Sequence, residues 1–356
     1  MRNAYGDALF NTMARNEKAV TVFADITPTR IDEIKKNYPC RVFNFGIAEC
    51  NMIGAAAALA NEGFIPLVFG FSCFLTYRAL EFIRFDICRQ RLNVKFIGAN
   101  CGVIGNKFGP THHSTEDIAA LRPLPNLTLL SPASAKEVAP VLEEAVSLEG
   151  PVFIRLGKAF ETEIYETSPR FEIGKSSCLR DGNDITVIAT GSIAADVIEA
   201  AKLLETEGFT AEVINMSTIK PLDEAAVIAS AKKTGRIVTV EEHSIYGGLG
   251  CAVSECLLKA GVPLKGFDIM GFNDTFCTDY GWHRDLKRAY GLSPEHIFER
   301  CKKLLQSAGH SPSELLTKPS SPRYTDFTMK TDCAAKRRTE NTFTPPPPIS
   351  SLICNS

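Results

Sequence analysis

The chain alternates between short runs of consecutive apolar residues and longer stretches whose apolar positions recur at helical spacing. Residues 20–24, 66–69, 94–97, 127–130 and 152–156 are runs of the first kind. Runs that short and that uniformly apolar predict strands buried on both faces, with helices between them. The pattern fades over a polar stretch containing Pro169 and Gly174, then resumes. Residues 184–189, 211–215, 236–240 and 264–269 predict further strands, separated by amphipathic helices over 194–207 and 224–233. The alternation predicts an α/β fold of two consecutive domains with mostly parallel sheets. The first spans 1–160 and the second 184–306, as separate layers joined by a linker over 161–183. Beyond them, Ser311-Pro312-Ser313, Pro319-Ser320-Ser321-Pro322 and Pro345-Pro346-Pro347-Pro348 cannot build a core, so residues 307–356 are expected to form a disordered, low-complexity tail, to which no function is attached.

Composition narrows the classes. A chain of 356 residues, 45% hydrophobic and 22% charged, can bury two cores. A net charge of −2 gives no electrostatic reason to expect nucleic acid or an anionic membrane as partner. Asn61 and Glu62 interrupt the longest apolar stretch before it reaches the roughly 20 residues that span a bilayer. The first seven residues lack the apolar core of a secretory signal. Twelve cysteines are scattered with no Cys-x-x-Cys pair and no metal-ligand spacing, which suits reduced thiols in a cytoplasmic protein.

The most informative motif is Gly46-Ile47-Ala48-Glu49, running into Cys50-Asn51-Met52-Ile53-Gly54 and four alanines. It places one carboxylate, Glu49, in the first turn of a small, apolar helix. Such a group either complements the helix dipole, finds a partner, or serves chemistry that uses a buried acid. With Phe64-Ile65-Pro66-Leu67-Val68-Phe69 and Ser72-Cys73-Phe74-Leu75 following, the stretch resembles the pyrimidine-binding domain of the transketolase family of thiamine diphosphate enzymes. The resemblance covers roughly residues 1–306, including the family's smaller C-terminal domain. It implies that Glu49 hydrogen-bonds the cofactor's aminopyrimidine and promotes the imino tautomer that generates the thiazolium ylide.

Other positions match the family one at a time. Phe74 and Tyr77 fall where aromatic side chains pack on the aminopyrimidine, and Phe71 can close the same pocket; residues i and i+3 on a helix also serve plain core packing. Asp25 and Ile26, at the end of the first strand, lie where a family loop approaches the thiazolium ring. In Gly109-Pro110-Thr111-His112-His113, His112 matches the histidine that contacts sugar oxygens, and an imidazole there can move protons near neutral pH. His113 is expected to support that loop, and residues 114–117 read as a capping sequence. Arg2, Arg155 and Lys158 match basic positions that contact substrate anions. Lys158 stands where the family usually has arginine, so the resemblance implies either a terminal phosphate held less rigidly, by a point charge, or a different acidic group such as a sulfonate.

Two departures limit what the resemblance implies. Where many transketolases carry an aspartate that reads a donor hydroxyl, this chain has Gly105-Asn106-Lys107-Phe108-Gly109, so the sugar is left open. No Gly-Asp-Gly occurs, the mark of the diphosphate-binding domain that holds Mg²⁺. By resemblance, that domain is expected on a separate N-terminal subunit, the two chains forming an α2β2 heterotetramer. The glycine-rich turn at Gly247-Gly248-Leu249-Gly250 is expected to organise domain packing and not to bind cofactor. The implied activity is transfer of a two-carbon ketol unit from a ketose to an aldose. The alternatives are the β subunit of a 2-oxo acid dehydrogenase and a non-catalytic scaffold subunit.

Overall fold

The computed structural model describes residues 1–104, 108–158 and 161–306, which belong to one compact unit. The predicted tail and most of the segment 105–109 lie outside the described residues. In the first half, β1 (Ala19–Phe23), β2 (Val42–Asn44), β3 (Ile65–Phe71), β4 (Lys95–Ala99), β5 (Thr128–Leu130) and β6 (Val152–Arg155) form a parallel sheet in the order 5-6-4-3-1-2. Burial on both faces explains why β1, β3, β4 and β6 read as apolar runs, whereas β2, a short and partly exposed edge strand, left no such run. Along β3, Leu67 and Phe69 face the helices Arg2–Arg15 and Ala135–Ser147, while Val68 faces Glu49–Asn61. That is the twofold alternation of a strand. Each such side chain contributes roughly 1.5–3 kcal/mol on burial. Tyr5 stacks on Phe69 with ring centroids 5.3 Å apart, fixing the first helix to the sheet.

The second half carries β7 (Ser177–Arg180), β8 (Ile185–Thr190), β9 (Ala211–Asn215), β10 (Thr218–Lys220), β11 (Arg236–Ser244) and β12 (Gly266–Phe272). Five of these make a sheet in the order 12-11-8-9-7, parallel except for β7. Two expectations are corrected here. Part of the interval read as linker is β7, which pairs antiparallel with β9. Nor are the halves separate layers, because β10 leaves the second half and pairs antiparallel with β5 at the edge of the first sheet.

Polar contacts, buried and exposed, reinforce this stitch. The Glu137 carboxylate of the first half accepts from the Ala133 N–H at 2.6 Å and from Ser217 Oγ, just before β10, at 2.5 Å. Arg122 forks onto Glu255 at 2.6 and 2.8 Å and donates from Nε to the Gly247 carbonyl at 3.1 Å. The glycine-rich turn therefore sits at the contact between the halves. Its helix N-terminus is already capped by a side chain: the Glu241 carboxyl oxygens accept from the N–H groups of Leu249 at 2.7 Å and Gly250 at 2.9 Å. A Cβ on Gly248 would fall 2.1 Å from that carboxylate, so the turn requires glycine.

Candidate active site

In parallel sheets, ligands gather beyond the carboxyl ends of the strands. The predicted site residues occupy those ends. Asp25 and Ile26 follow β1, Glu49 follows β2, Phe71 ends β3, His112 lies in the loop after β4, and Lys158 follows β6. The first two loops are tied together by Asn44, whose Oδ1 accepts from the N–H groups of Asp25 at 3.1 Å and Gly46 at 3.0 Å. Asp25 is held at φ 65°, a left-handed conformation uncommon outside glycine and recurrent at functional sites. Arg2 braces the same loop, donating from Nη2 to the Thr27 carbonyl at 2.6 Å. Its own N–H donates to the Lys158 carbonyl at 3.0 Å.

Glu49 begins its helix with the side chain only 8% exposed. The chain leaving β3 enters a π-helical turn, Phe74–Arg78, before Ala79–Phe82 continues as an α-helix. Such i→i+5 turns concentrate at functional sites. Arg78 Nη1 donates to both Glu49 oxygens, at 3.2 and 3.4 Å, and its guanidinium lies 3.9 Å from the centre of the Phe74 ring. Tyr77 Oη donates to Glu116 at 2.8 Å, anchoring the far end of the turn.

Beside Glu49 stands an aromatic wall. His112 is 5.1 Å from Phe74, 5.7 Å from Phe71 and 4.8 Å from Phe108, centre to centre. Phe71 and Phe74 are themselves 5.9 Å apart. Lys158 Nζ lies 5.3 Å from the centre of the Phe108 ring, placing a cation at the rim. A short 3₁₀ turn, Pro110–His112, presents the histidine. Gly109 before it has φ 70° and carries the Tyr280 ring where a Cβ would stand, which fixes the loop's approach. Burial, and then the Arg78 charge, hold the His112 imidazole below its ordinary pKa. The ring is thus neutral around pH 7, with Nδ1 2.9 Å from Thr111 Oγ1. His113 is buried in the loop, as a supporting residue would be.

Arg155 departs from the anion-binding expectation. It is 4% exposed and clamps the fully buried Asp117, Nε to Oδ2 at 3.0 Å and Nη2 to Oδ1 at 2.9 Å. Ser72 donates to the same carboxylate at 2.7 Å. Asp117, read from the sequence as part of a cap, is instead one half of this internal strut. Burial alone would raise its pKa, but Arg155 outweighs burial and holds it below the ordinary carboxylate range. Arg78, Phe108 and Glu116 were missed by sequence reasoning. For Arg78 a signal existed, since a cation four residues after Phe74 lies on the same helical face. Among the described residues, no group of three or more His, Cys, Asp and Glu side chains is placed to hold a metal ion. Nor is any helix among them long and apolar enough to cross a membrane.

Residues 1–160 match the family model of the transketolase pyrimidine-binding domain, and residues 174–297 match that of the transketolase C-terminal domain. A 6-deoxy-6-sulfo-D-fructose transketolase subunit from Clostridium sp. (strain MSTE9) is 35% identical over 300 residues, covering 83% of this chain and 92% of its own. An apulose-4-phosphate transketolase subunit from Phocaeicola vulgatus is 35% identical over 307 residues, covering 86% and 96% respectively. Among solved structures, a split-gene transketolase described as an inactive β4 tetramer superposes with a TM-score of 0.78 at 38% identity, covering 86% of this chain and 98% of that one.

The chain belongs to the transketolase family, whose members are thiamine diphosphate-dependent transferases. Within it, the chain corresponds to the C-terminal subunit of a split transketolase, the pyrimidine-binding and C-terminal domains on one polypeptide.

Proposed function

We propose that this subunit seats the aminopyrimidine of thiamine diphosphate against Phe74 and Glu49 and completes a ketol-transfer site with a separate diphosphate-binding subunit. The observation that carries the proposal is the pairing of a buried carboxylate, Glu49, with an aromatic wall on which His112 also packs. The residues suit a flat group bearing N–H donors, because the Arg78 guanidinium is one and fits between the Phe74 face and both Glu49 oxygens. When bound, thiamine diphosphate supplies a nucleophilic carbon and the electron sink for cleaving the carbon–carbon bond beside a ketose carbonyl.

The chain's own residues do the rest. Glu49 accepts a hydrogen bond from the pyrimidine and orients it. Phe71, Phe74 and Tyr77 cover the ring and exclude water. Neutral His112 can accept a proton from a sugar hydroxyl and return it. Lys158, at the rim beside Phe108, meets the acidic group of the ketose as a point charge. The sulfonated and phosphorylated sugars in the names of the two relatives favour an anionic donor for this chain as well. Arg2 supports the loop of Asp25 and Ile26, and Arg155 supports the site through Asp117. Mg²⁺ and the diphosphate are assigned to the partner, in an α2β2 assembly. A cytoplasmic setting is consistent with ten unpaired cysteines among the described residues.

Steady-state kinetics of the two-chain enzyme separates these roles. His112→Ala is expected to lower kcat by about 10²-fold, in the range of a lost proton-transfer group. Lys158→Ala should raise KM for an anionic ketose about tenfold with kcat nearly unchanged, as when uniform binding is removed. Equal effects of both substitutions on kcat, or none, would contradict the assignment.

A further inference from the structure

Arg78 lies where the proposed ligand would lie. Its guanidinium is planar, stacks 3.9 Å from the centre of the Phe74 ring, and donates to both oxygens of the buried carboxylate. Those are the two contacts, one stacking and one hydrogen-bonding, that the proposal requires of the aminopyrimidine. Both cannot be made at once by two groups. The local backbone produces this geometry. The wider π-helical turn Phe74–Arg78 brings residues four apart closer to register than the 3.6-residue α-helix does, so Arg78 reaches back over Phe74.

The contact is also built to release. Glu49 is held in the protein, but the Arg78 side chain is 48% exposed and half in water already. It also borders a cavity of about 390 Å³ lined by Tyr77, Thr111, His113, Glu116 and Phe276. A guanidinium leaving Glu49 can swing into that space. There Glu116 offers a second carboxylate.

We infer that Arg78 is an internal placeholder: it fills the pyrimidine seat in the unliganded subunit, keeps Glu49 paired, and must be displaced for the ligand to enter. This rests on the proposed role of Glu49 and Phe74. It adds that apparent affinity is reduced by a competing side chain, and that Arg78 is a binding determinant without being part of the bound seat.

The test is isothermal titration calorimetry of the full chain with thiamine, whose aminopyrimidine is the part that this chain is expected to hold. Arg78→Ala and Arg78→Met should each bind thiamine about tenfold more tightly than the wild type. That is the sum of a half-exposed ion pair and a cation–π contact no longer competing. The methionine variant keeps an apolar stem over Phe74, so it guards against loss of the turn. Adding Glu49→Gln to Arg78→Ala should abolish the gain. Unchanged or weaker binding by both Arg78 variants, with binding still sensitive to Glu49→Gln, would overturn the placeholder and make Arg78 a permanent support of the seat. Thiamine binding that is absent from every variant, or indifferent to Glu49→Gln, would instead count against the seat itself.

Discussion

Glu49→Gln is expected to lower turnover of the assembled two-chain enzyme by roughly 10²–10⁴-fold, the range for a group that acts on a proton in the reaction. Glutamine keeps the length and shape of the side chain but replaces one acceptor oxygen with an NH₂ donor and removes the charge. The seat beside Phe74 would then present a donor to a donor. Folding should barely register the change. Among the described residues Glu49 is ion-paired with Arg78, which is 48% exposed, and ion pairs so open to water contribute about 0–1 kcal/mol. The check is kcat alongside thermal melting of the isolated subunit. A loss of less than tenfold, or a collapse in melting temperature that accounts for the loss, would sink the assignment.

The largest effect on stability is expected from Asp117→Ala. Removing this carboxylate leaves Arg155 charged, buried and without its partner, a change that typically costs about 3–5 kcal/mol. Ser72 loses its acceptor as well. Differential denaturation of wild type and variant at neutral pH measures the gap, and a difference below about 1 kcal/mol would show that the strut is dispensable. The pH dependence follows from the lowered Asp117 pKa. The folded state holds the carboxylate ionised more tightly than the unfolded chain does. The contribution is therefore complete above the unfolded value near pH 4 and lost as pH falls through the folded value. The two proteins should converge in stability in acid, diverge as pH rises toward about 4, and keep a constant gap from there to neutrality.

Much of the fold was legible because buried parallel strands leave an unbroken apolar mark. β9, Ala211–Asn215, coincides with its predicted run, and β1, β6 and β8 shift by a single residue. β7 and β10 were not legible, for a physical reason. Ser177–Arg180 and Thr218–Lys220 are short edge segments, partly polar, that become strands only because β9 and β5 are there to pair with them. The same limit applied to β6. When both faces of a strand are buried, the sequence cannot say which way Arg155 points, and the interior direction toward Asp117 is set by tertiary contacts. The candidate site was legible to the extent that its residues fall in contiguous motifs. Those motifs name Glu49, Phe71, Phe74, Tyr77 and His112, and the structure groups four of them, with Tyr77 anchoring the turn's far end. The Arg78 guanidinium on Phe74 was overlooked although the four-residue spacing carried a signal, while its reach to Glu49 is a tertiary contact with no mark in that spacing.

The most direct measurement is ketol transfer by this chain mixed with a diphosphate-binding transketolase subunit, thiamine diphosphate and Mg²⁺, across phosphorylated and sulfonated ketoses, with each chain alone as control. Turnover that needs both chains, favours an anionic ketose and collapses in Glu49→Gln is the predicted result. A stable complex that transfers no ketol unit, or that acts on a 2-oxo acid instead, would contradict it.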